Sequence, residues 1–308
     1  MEKVSIIIPT YKRHTDLLKR AVDSLIGQTY PNIEIILVDD NAGQTLAGYR
    51  EEVESFVEAL ACSRLVYLRN RENLGGSGAR NEGLKAATGE YVTFLDDDDR
   101  YLPDKVKRQL SFMLENDLDM CFTDLRIHNG ADKLSDYREY SRLEAFDQES
   151  LMKYHLTRQI AGTNTFMYRT ETLKAIGGFV KVDMGQEYYL MYHTIQYGCK
   201  IGYLKGSDVI LYRQGQDCIS SGPNKIKGQK ALYEFKKQNF GVLSASERRF
   251  VRFRHHVVMA VAYKRNHSYL KMLGEVVAAF FCAPIRAFEE FFGFFRRRRE
   301  NQGMEESV

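Results

Sequence analysis

The sequence predicts an α/β protein in which parallel strands form one sheet covered by helices. Continuous apolar runs rich in β-branched residues, such as 4–8 and 33–38, alternate with segments of helical apolar spacing, such as 15–27. Loops containing Gly, Pro, Asn or Asp separate the two kinds of segment. Strands that are buried on both faces are apolar throughout, and this pattern is typical of parallel sheets.

The predicted elements follow one another regularly through residue 95. Apolar residues recur at helical spacing in the first helix, and Gly-rich residues 73–78 predict a loop. The predicted strands are 4–8, 33–38, 64–68 and 91–95, and the predicted helices are 15–27, 50–60 and 79–87.

Further strands and helices are predicted up to residue 212. The polar, charged segment 132–148 predicts a mobile excursion between two of them. The predicted strands are 120–123, 163–168, 200–204 and 208–212, and the predicted helices are 105–116, 171–176 and 187–197.

The composition is that of an ordinary folded protein, with 308 residues, 44% hydrophobic and 28% charged. A net charge of +3 gives no argument for a nucleic-acid partner. The five cysteines are scattered without a CxxC pair, so neither a zinc site nor a disulfide framework is indicated. Met1 to Lys3 lead directly into a strand and lack the layout of a signal peptide, so we expect a cytoplasmic protein.

Polar residues follow three of the predicted strands: Thr10-Tyr11, Asp39-Asp40 and the run Asp96 to Asp99. Ligands of open α/β sheets bind outside the carboxyl ends of the strands. Four adjacent carboxylates repel one another, and a hard divalent cation with oxygen ligands would stabilise them. The alternative is an acidic turn that caps the helix beginning near Pro103.

Five segments carry a resemblance to a known family. They are VSIIIPTYKR at 4–13, SLIGQTYPNIEIILVDDN at 24–41, NLGGSGARNEGLKAATGEYVTFLDDDDRYLPDK at 73–105, GGF at 177–179 and GQEYYL at 185–190. In this order and spacing they resemble glycosyltransferase family 2. The resemblance implies a GT-A fold, a Rossmann-like mixed sheet flanked by helices. It also implies inverting transfer of a sugar from a nucleotide-diphosphate donor, usually a UDP-sugar.

The resemblance assigns the nucleotide-sugar site to the strand ends and the Gly-rich segment. Asp40 is implied to accept a hydrogen bond from the uracil edge, with Asp39 as a second candidate. An Asx turn is the alternative interpretation of this pair. The nucleotide-sugar-binding residues implied are Pro9, Thr10, Tyr11, Arg13, Asp39, Asp40, Asn73, Gly75, Arg80, Asn81, Asp96 and Asp97.

The family pattern of acid, any residue, acid selects Asp96 and Asp98 in the acidic run. Asp98 is implied to bind Mg²⁺ or Mn²⁺ directly, Asp96 to face the donor, and Asp97 to be the spacer. Asp99 is expected to cap or orient the following loop.

The resemblance implies that Glu187 is the general base. The alternative interpretation is an acid that the helix dipole favours at a helix N-terminus. Two departures from the family stand out. Gln186-Glu187 replaces the common Glu-Asp pair, and Gln214 stands near the position of a frequent histidine.

We divide the chain into a GT-A catalytic domain at 1–221, a helical basic and aromatic region at 222–300, and a tail at 301–308. Ser244 to Glu247 predicts a capping box, and helices are predicted at 229–239 and 246–264. The last quarter is rich in cations, namely Arg248, Arg249, Arg252, Arg254, Lys264, Arg265 and Arg296 to Arg299.

The apolar segment 269–295 precedes the four arginines 296–299. Its longest uncharged stretch is too short to span a bilayer, so the pattern favours a helix in the membrane interface. Packing on the catalytic domain or on another subunit of a homo-oligomer is the alternative.

The sequence therefore predicts an inverting, metal-assisted glycosyltransferase of cell-surface polysaccharide biosynthesis. We expect a glycan or lipid-linked acceptor and peripheral association with the cytoplasmic face of the inner membrane. A nucleotidyltransferase and a non-catalytic nucleotide-sugar-binding subunit are the alternatives. Residues 76–81 half-resemble a dinucleotide fingerprint but lack its third glycine, so a dehydrogenase is disfavoured.

Overall fold

The computed structural model describes residues 1–160, 162–182, 184–213 and 223–284. The chain divides into two compact units. The first consists of Met1–Gln148, Ile160–Val182 and Gln186–Arg213. The second consists of Glu149–Gln159, Asp183–Gly185 and Gln214–Val308.

A seven-stranded mixed sheet forms the centre of the first unit, in the order β10-β6-β9-β4-β1-β2-β3. Strand β9 runs antiparallel to β4 and β6, and the other neighbours are parallel. A smaller sheet has the order β5-β11-β7-β8. The strands are β1 Val4–Thr10, β2 Ile33–Asp39, β3 Leu65–Arg69, β4 Tyr91–Phe94, β5 Arg100–Tyr101, β6 Met120–Thr123, β7 Leu125–Asn129, β8 Leu134–Arg138, β9 Met167–Arg169, β10 Ile201–Leu204 and β11 Val209–Arg213.

Helices cover both faces of the large sheet. One face packs with α1 and α4, whose side chains Leu18, Val22 and Val106 share a core with Ile6 and Ile35. On the other face α3 approaches so closely that a Cβ at Gly83 would lie 2.5 Å from Ile7. The helices of this unit are α1 Thr15–Ile26, α2 Ala47–Leu60, α3 Gly75–Ala86, α4 Lys105–Glu115, α6 Thr170–Ala175 and α7 Gln186–Gln196.

The strand register brings the predicted polar strand ends to one edge of the sheet. Thr10 pairs with Asp39 across β1 and β2, and Ile7 pairs with Phe94 across β1 and β4. The Leu95 amide then donates to the Ile7 carbonyl at 3.0 Å, directly before the acidic run. The carboxyl ends of β1, β2 and β4 therefore meet, as the sequence predicts.

Three local predictions were wrong. Residues 163–168 are not one strand, because Thr163–Thr165 forms a 3₁₀ turn in which Thr165 bonds twice to the Gly162 carbonyl before β9 begins. Segment 73–78 is not wholly loop, because α3 begins at Gly75. Segment 132–148 is not wholly an excursion from the sheets, because it contains β8, which pairs with β7.

A lysine is completely buried under the large sheet. The Lys105 ammonium donates to the hydroxyl groups of Thr93 and Tyr101, which in turn donate to the Phe166 and Phe94 carbonyls. Burial lowers the pKa of Lys105 from its usual 10.5 to about 7.

The buried lysine predicts a pH-dependent stability. Between about pH 7 and 10 the folded chain releases the Lys105 proton while the unfolded chain keeps it. The free energy of unfolding should therefore rise with pH over this range, with a slope of up to about 1.4 kcal/mol per pH unit. Urea unfolding at several pH values measures it. Lys105→Met should flatten the slope, and an unchanged slope in that variant would contradict this assignment.

The second unit is helical. It holds most of α5 (Gln148–Arg158), together with α8 (Pro223–Gln238), α9 (Ala245–Arg265) and α10 (Tyr269–Cys282). The predicted capping box is confirmed, because the Glu247 amide donates to the Ser244 hydroxyl at 3.2 Å and the Glu247 carboxylate accepts from the Ser244 amide at 2.8 Å.

Small apolar cores hold these helices together. Leu156, Leu243 and Val251 form one core, and Phe250 and Phe253 form another with Ala279 of α10. Within the described residues, no helix is both long enough and apolar enough to cross a membrane.

Candidate active site

The four carboxylates of the acidic run differ sharply in exposure. Asp97 and Asp99 are buried, whereas the side chains of Asp96 and Asp98 are 39% and 31% exposed. The run therefore presents two carboxylates to solvent and keeps two for internal contacts.

Asp97 joins the acidic run to the end of β1. One of its oxygens accepts from the Thr10 hydroxyl and the other from Arg13 Nε, both at 2.8 Å. Burial raises the pKa of Asp97 to about 6, although the Arg13 charge opposes that shift. Arg13 also bonds Asp98 through its terminal nitrogen at 3.0 Å, so one guanidinium holds two adjacent carboxylates.

Asp99 connects the acidic run to other parts of the unit. Its carboxylate accepts from the Tyr212 amide at 2.7 Å and from the Asn164 side chain. Burial, followed by repulsion from Asp96, raises the pKa of Asp99 well above its usual value. These contacts anchor β11 and the turn before β9.

Arg80 of α3 contacts the exposed carboxylate of Asp96. Its guanidinium lies 5.6 Å from the centre of the Phe179 ring. The Phe179 ring in turn meets Phe94, at the end of β4, edge to face at 5.0 Å. Arg80 itself is buried, with 5% of its side chain exposed.

Asn81 holds the Gly-Gly-Phe segment in place. It donates to the Phe179 carbonyl at 2.8 Å and accepts from the Phe179 amide at 2.9 Å. Gly178 has φ +66°, and a Cβ there would lie 2.6 Å from the Asn81 oxygen. Asn81 therefore positions Phe179, whose ring lies beside the Arg80 guanidinium.

Asp39 and Asp40 are both buried at the end of β2. Asp39 accepts from the Asn41 amide at 2.8 Å, the Tyr67 hydroxyl at 2.6 Å and Arg50 at 3.2 Å. The carboxylate charge and burial raise the pKa of Tyr67, burial being the larger cause.

Asp40 is bound to the N-terminus of α3. Its carboxylate accepts from the Leu74 amide at 2.9 Å, the Gly75 amide at 2.8 Å and Asn70 at 2.7 Å. Asn73 donates to the Asp40 main-chain carbonyl at 3.2 Å. A carboxylate at this position stabilises the helix start, which explains why α3 begins inside the Gly-rich segment.

The turn after β1 leaves Tyr11 at the surface. Pro9 and Thr10 are the last residues of the strand, and Tyr11 is 38% exposed. Lys12 adopts φ +51°, and its amide donates to the Asn41 side chain at 2.7 Å. This bond joins the loops that follow β1 and β2.

Glu187 is the second residue of α7 and is partly buried. Burial raises its pKa, the Arg80 charge opposes that rise and the Asp96 charge adds to it. No other residue in the described part of the chain donates a hydrogen bond to its carboxylate. Gln186, beside it, accepts from the Ser77 hydroxyl of α3 at 2.8 Å, which fixes the start of α7 against α3.

The site contains a cation that the sequence did not reveal. Arg20 of α1 donates to the main-chain carbonyl of Asp98, and its guanidinium lies 3.8 Å from the centre of the Tyr212 ring. No motif in the sequence identifies this arginine, because its contact joins residues that are 78 positions apart. Gln214 lies outside the described residues.

The carboxylate oxygens at the strand ends can be compared with the ligands that Mg²⁺ or Mn²⁺ prefers. Within the described residues, no group of three His, Cys, Asp or Glu side chains could hold a metal ion by itself. Asp98 and Asp96 offer partly exposed carboxylates at a strand end, and a Mg²⁺ site commonly combines one or two carboxylates with substrate phosphates. The residues thus fit a metal that binds together with a diphosphate.

A mixed sheet with an acidic run at the end of its central strands is the arrangement of a glycosyltransferase of the GT-A class. The family model for glycosyl transferase family 2 matches residues 5–177, more than half of the chain. The chain belongs to this family and is a transferase.

Curated relatives share the family. The chain is 27% identical over 247 residues, 77% of its length and 82% of the relative's, to WcaA of Escherichia coli (strain K12), named as a colanic acid biosynthesis glycosyl transferase. It is 38% identical over 113 residues to the Escherichia coli protein named UDP-Glc:alpha-D-GlcNAc-diphosphoundecaprenol beta-1,3-glucosyltransferase WfaP. That match spans 37% of this chain and 42% of WfaP.

Solved structures share the fold. The crystal structure of S. aureus TarS 1-349 in complex with UDP-GlcNAc has a TM-score of 0.58 and 17% sequence identity, covering 91% of each chain. The GT-A fold expected from the sequence is thereby confirmed.

Proposed function

We propose that the protein is an inverting glycosyltransferase that uses a UDP-sugar, assisted by Mg²⁺ or Mn²⁺, with Glu187 as general base. One observation carries the proposal. The exposed carboxylates of Asp96 and Asp98 share a sheet edge with Arg13 and Arg80, and the charges of Arg80 and Asp96 act on the carboxylate of Glu187. Donor, metal and base would thus share one site.

The strand ends would bind the nucleotide. Asp40 uses three of about four acceptor positions on internal donors, which leaves one for the N–H of a uracil ring. Asp39 is completely buried and ion-paired with Arg50, so we assign it the support of that pocket. Tyr11 would cover the base from its exposed position.

Asp98 would hold the metal ion, with Asp96 beside it. When bound, the ion neutralises charge on the diphosphate leaving group. Arg13 positions Asp98, Arg20 fixes the main chain at Asp98, and Arg80 orients Asp96.

Glu187 would remove the proton from the acceptor hydroxyl. The acceptor oxygen forms a bond to the anomeric carbon as the bond from that carbon to the diphosphate oxygen breaks and UDP departs. The single displacement inverts the anomeric centre. Because burial raises the pKa of Glu187, the carboxylate is a stronger base than an exposed glutamate.

The relatives support a role in cell-surface polysaccharide biosynthesis with a lipid-linked acceptor. WcaA is named for colanic acid, and the name of WfaP contains a diphosphoundecaprenol acceptor. We propose an acceptor of the same chemical class for this chain.

A panel of nucleotide-sugars tests the function. Purified protein is incubated with each UDP-, GDP- and dTDP-sugar, Mn²⁺ and a lipid-linked glycan acceptor, and the released nucleoside diphosphate is measured, with EDTA as control. We expect at least one UDP-sugar to release UDP in a metal-dependent reaction. A parallel reaction contains UTP and a sugar 1-phosphate. Release of pyrophosphate there, with no nucleoside diphosphate from any nucleotide-sugar, would indicate a nucleotidyltransferase and overturn the proposal.

We further propose that α10 attaches the protein to the cytoplasmic face of the inner membrane. Several large apolar side chains of this helix are exposed, with Leu270 at 89% and Phe281 at 79%. Lys271 adds a positive charge. An apolar helix face with nearby cations suits the interface of an anionic bilayer. The four arginines 296–299 lie outside the described residues.

Substitution on this face should release the protein from lipid. We expect the full chain to sediment with vesicles containing anionic phospholipid, and Leu270→Ser with Phe281→Ser to weaken binding about tenfold or more, since each loses apolar burial. Leu114→Ser changes an exposed leucine of α4 and is the matched control. Equal sedimentation of all three proteins, or a dimer that the double substitution dissociates, would contradict membrane attachment through this face.

A further inference from the structure

Gln186 connects the start of α7 with α3. It is the first residue of α7 and directly precedes Glu187. Its side-chain oxygen accepts a hydrogen bond from the hydroxyl of Ser77, the buried third residue of α3, at 2.8 Å. The bond joins segments that are 109 positions apart in the chain. The backbone that carries Glu187 is thus held against α3 by a neutral amide.

The absence of a side chain at Gly76 lets two other groups approach each other. A Cβ at Gly76 would lie 3.0 Å from Arg80 Nη1 and 3.3 Å from the side-chain nitrogen of Gln186. An alanine at position 76 would therefore require a shift of these side chains. Because both nitrogens lie beside the same point, the Gln186 amide is a close neighbour of the Arg80 guanidinium.

Arg80 has a donor that Asp96 does not use. One terminal nitrogen of Arg80 bonds the Asp96 carboxylate, and the other donates to the Gly76 carbonyl at 3.2 Å. Its Nε is buried and has no hydrogen-bond partner in the described structure. A bond between a guanidinium and a carboxylate is about twice as strong as a bond between neutral groups. The neutral Gln186 therefore competes only weakly for Arg80, whereas a glutamate at the same position would compete with Asp96.

The charges around Glu187 come from two neighbouring elements. Among the described residues, the charges that act on its carboxylate are the positive charge of Arg80 on α3 and the negative charge of Asp96 after β4. A carboxylate at position 186 would add a second negative charge and would share the compensating charge of Arg80. Both effects would raise the pKa of Glu187 beyond the rise that burial already causes.

We propose that Gln186 is a positioning residue for sugar transfer. Its amide fixes the start of α7, and with it Glu187, against α3. Its neutrality leaves the Arg80 guanidinium to the carboxylate of Asp96. This role rests on the proposed function, since it requires Glu187 to be the general base, whereas the contacts of Gln186 with α3 do not depend on that function.

Titration of the Glu187 carboxyl group tests the importance of the neutral side chain without measuring transfer. Carbon-13 NMR follows the full chain labelled at its glutamate carboxyl groups, and the Glu187 signal is identified in each protein by its loss on Glu187→Gln substitution. We expect Gln186→Glu to raise the pKa of Glu187 by about one unit, because it adds a neighbouring negative charge. Gln196→Glu makes the same exchange at an exposed position near the other end of α7 and should leave this pKa nearly unchanged. Equal pKa values of Glu187 in the parent and in Gln186→Glu would overturn the proposal.

A double-mutant cycle tests the bond between α7 and α3. Gln186→Ala and Ser77→Ala each remove this bond, and each should lower the turnover number about tenfold while the affinity for UDP stays within about threefold of the parent. The double variant should be no slower than the slower single variant, because the same bond is lost only once. Multiplied losses in the double variant, or weakened UDP binding with unchanged turnover, would overturn the proposal.

Failure of the proposed function gives a different result. A parent protein that transfers no sugar in the donor panel would refute that function, and the NMR titration would still decide whether the neutral side chain of Gln186 controls the charge of Glu187. Circular dichroism confirms that each variant is folded.

Discussion

Asp98→Ala should abolish sugar transfer, lowering the rate about 10³-fold or more. The variant loses the carboxylate that we assign to the metal, and metal stabilisation of a departing diphosphate contributes several kcal/mol. The fold should survive, because Arg13 keeps its 2.8 Å bond to Asp97 and repulsion within the acidic run decreases. UDP release at saturating donor, measured beside the thermal unfolding midpoint, separates the two effects.

Asp99→Asn is the matched control within the same run. An asparagine there can still accept from the Tyr212 amide. The Asn164 side-chain oxygen is buried without a hydrogen-bond partner in the described structure. If the side-chain amide of Asn164 rotates by half a turn, this oxygen can accept a hydrogen bond from the amide that Asp99→Asn introduces. We expect transfer within about threefold of the parent. Equal losses in Asp98→Ala and Asp99→Asn would contradict the division of the run into exposed and anchoring carboxylates.

Glu187→Gln should lower the turnover number about 10²–10⁴-fold while the affinity for UDP stays nearly constant. The amide has almost the same shape but accepts no proton from the acceptor hydroxyl. Single-turnover transfer and UDP titration measure the two quantities. Weakened UDP binding with unchanged turnover would contradict the role of general base.

The pH profile adds a second readout for Glu187. A base works when deprotonated, so the rate should fall as the pH decreases through its pKa. Burial places that pKa above the usual value of 4.5, and the acid limb of the parent should be displaced upward accordingly. The remaining activity of Glu187→Gln should not show this decrease in rate at acid pH. Glu171→Gln, which removes an exposed acid from the first turn of α6, controls for the loss of a helix-terminal charge.

Local pattern was sufficient to predict the strands that build the site. The run at Ile33–Asp39 is buried at every position, and apolar β-branched residues favour such a strand without reference to the rest of the chain. Parallel order then places Thr10, Asp40 and Asp96 at one edge, because the carboxyl ends of neighbouring parallel strands coincide. The roles that the family resemblance assigns to these residues stay predictions.

Long-range partners could not be predicted from the sequence. Arg20 reaches the Asp98 carbonyl across 78 residues, and Asn164 reaches Asp99 across 65. No periodicity encodes such contacts, since they depend on how helices and turns pack in space. For the same reason, the sequence did not predict that segment Glu149–Gln159 groups with the C-terminal helices. It also did not predict that Lys105 is buried.

Phosphorus NMR of the reaction tests the central claim most directly. The parent, Glu187→Gln and Asp98→Ala are compared with the UDP-sugar selected by the donor panel, Mn²⁺ removed before acquisition, and a lipid-linked acceptor. The account predicts that the parent converts the UDP-sugar signals to those of UDP, with no sugar 1-phosphate, and that both variants leave them unchanged. Sugar 1-phosphate in place of UDP in the parent reaction, or UDP formed equally fast by either variant, would contradict it.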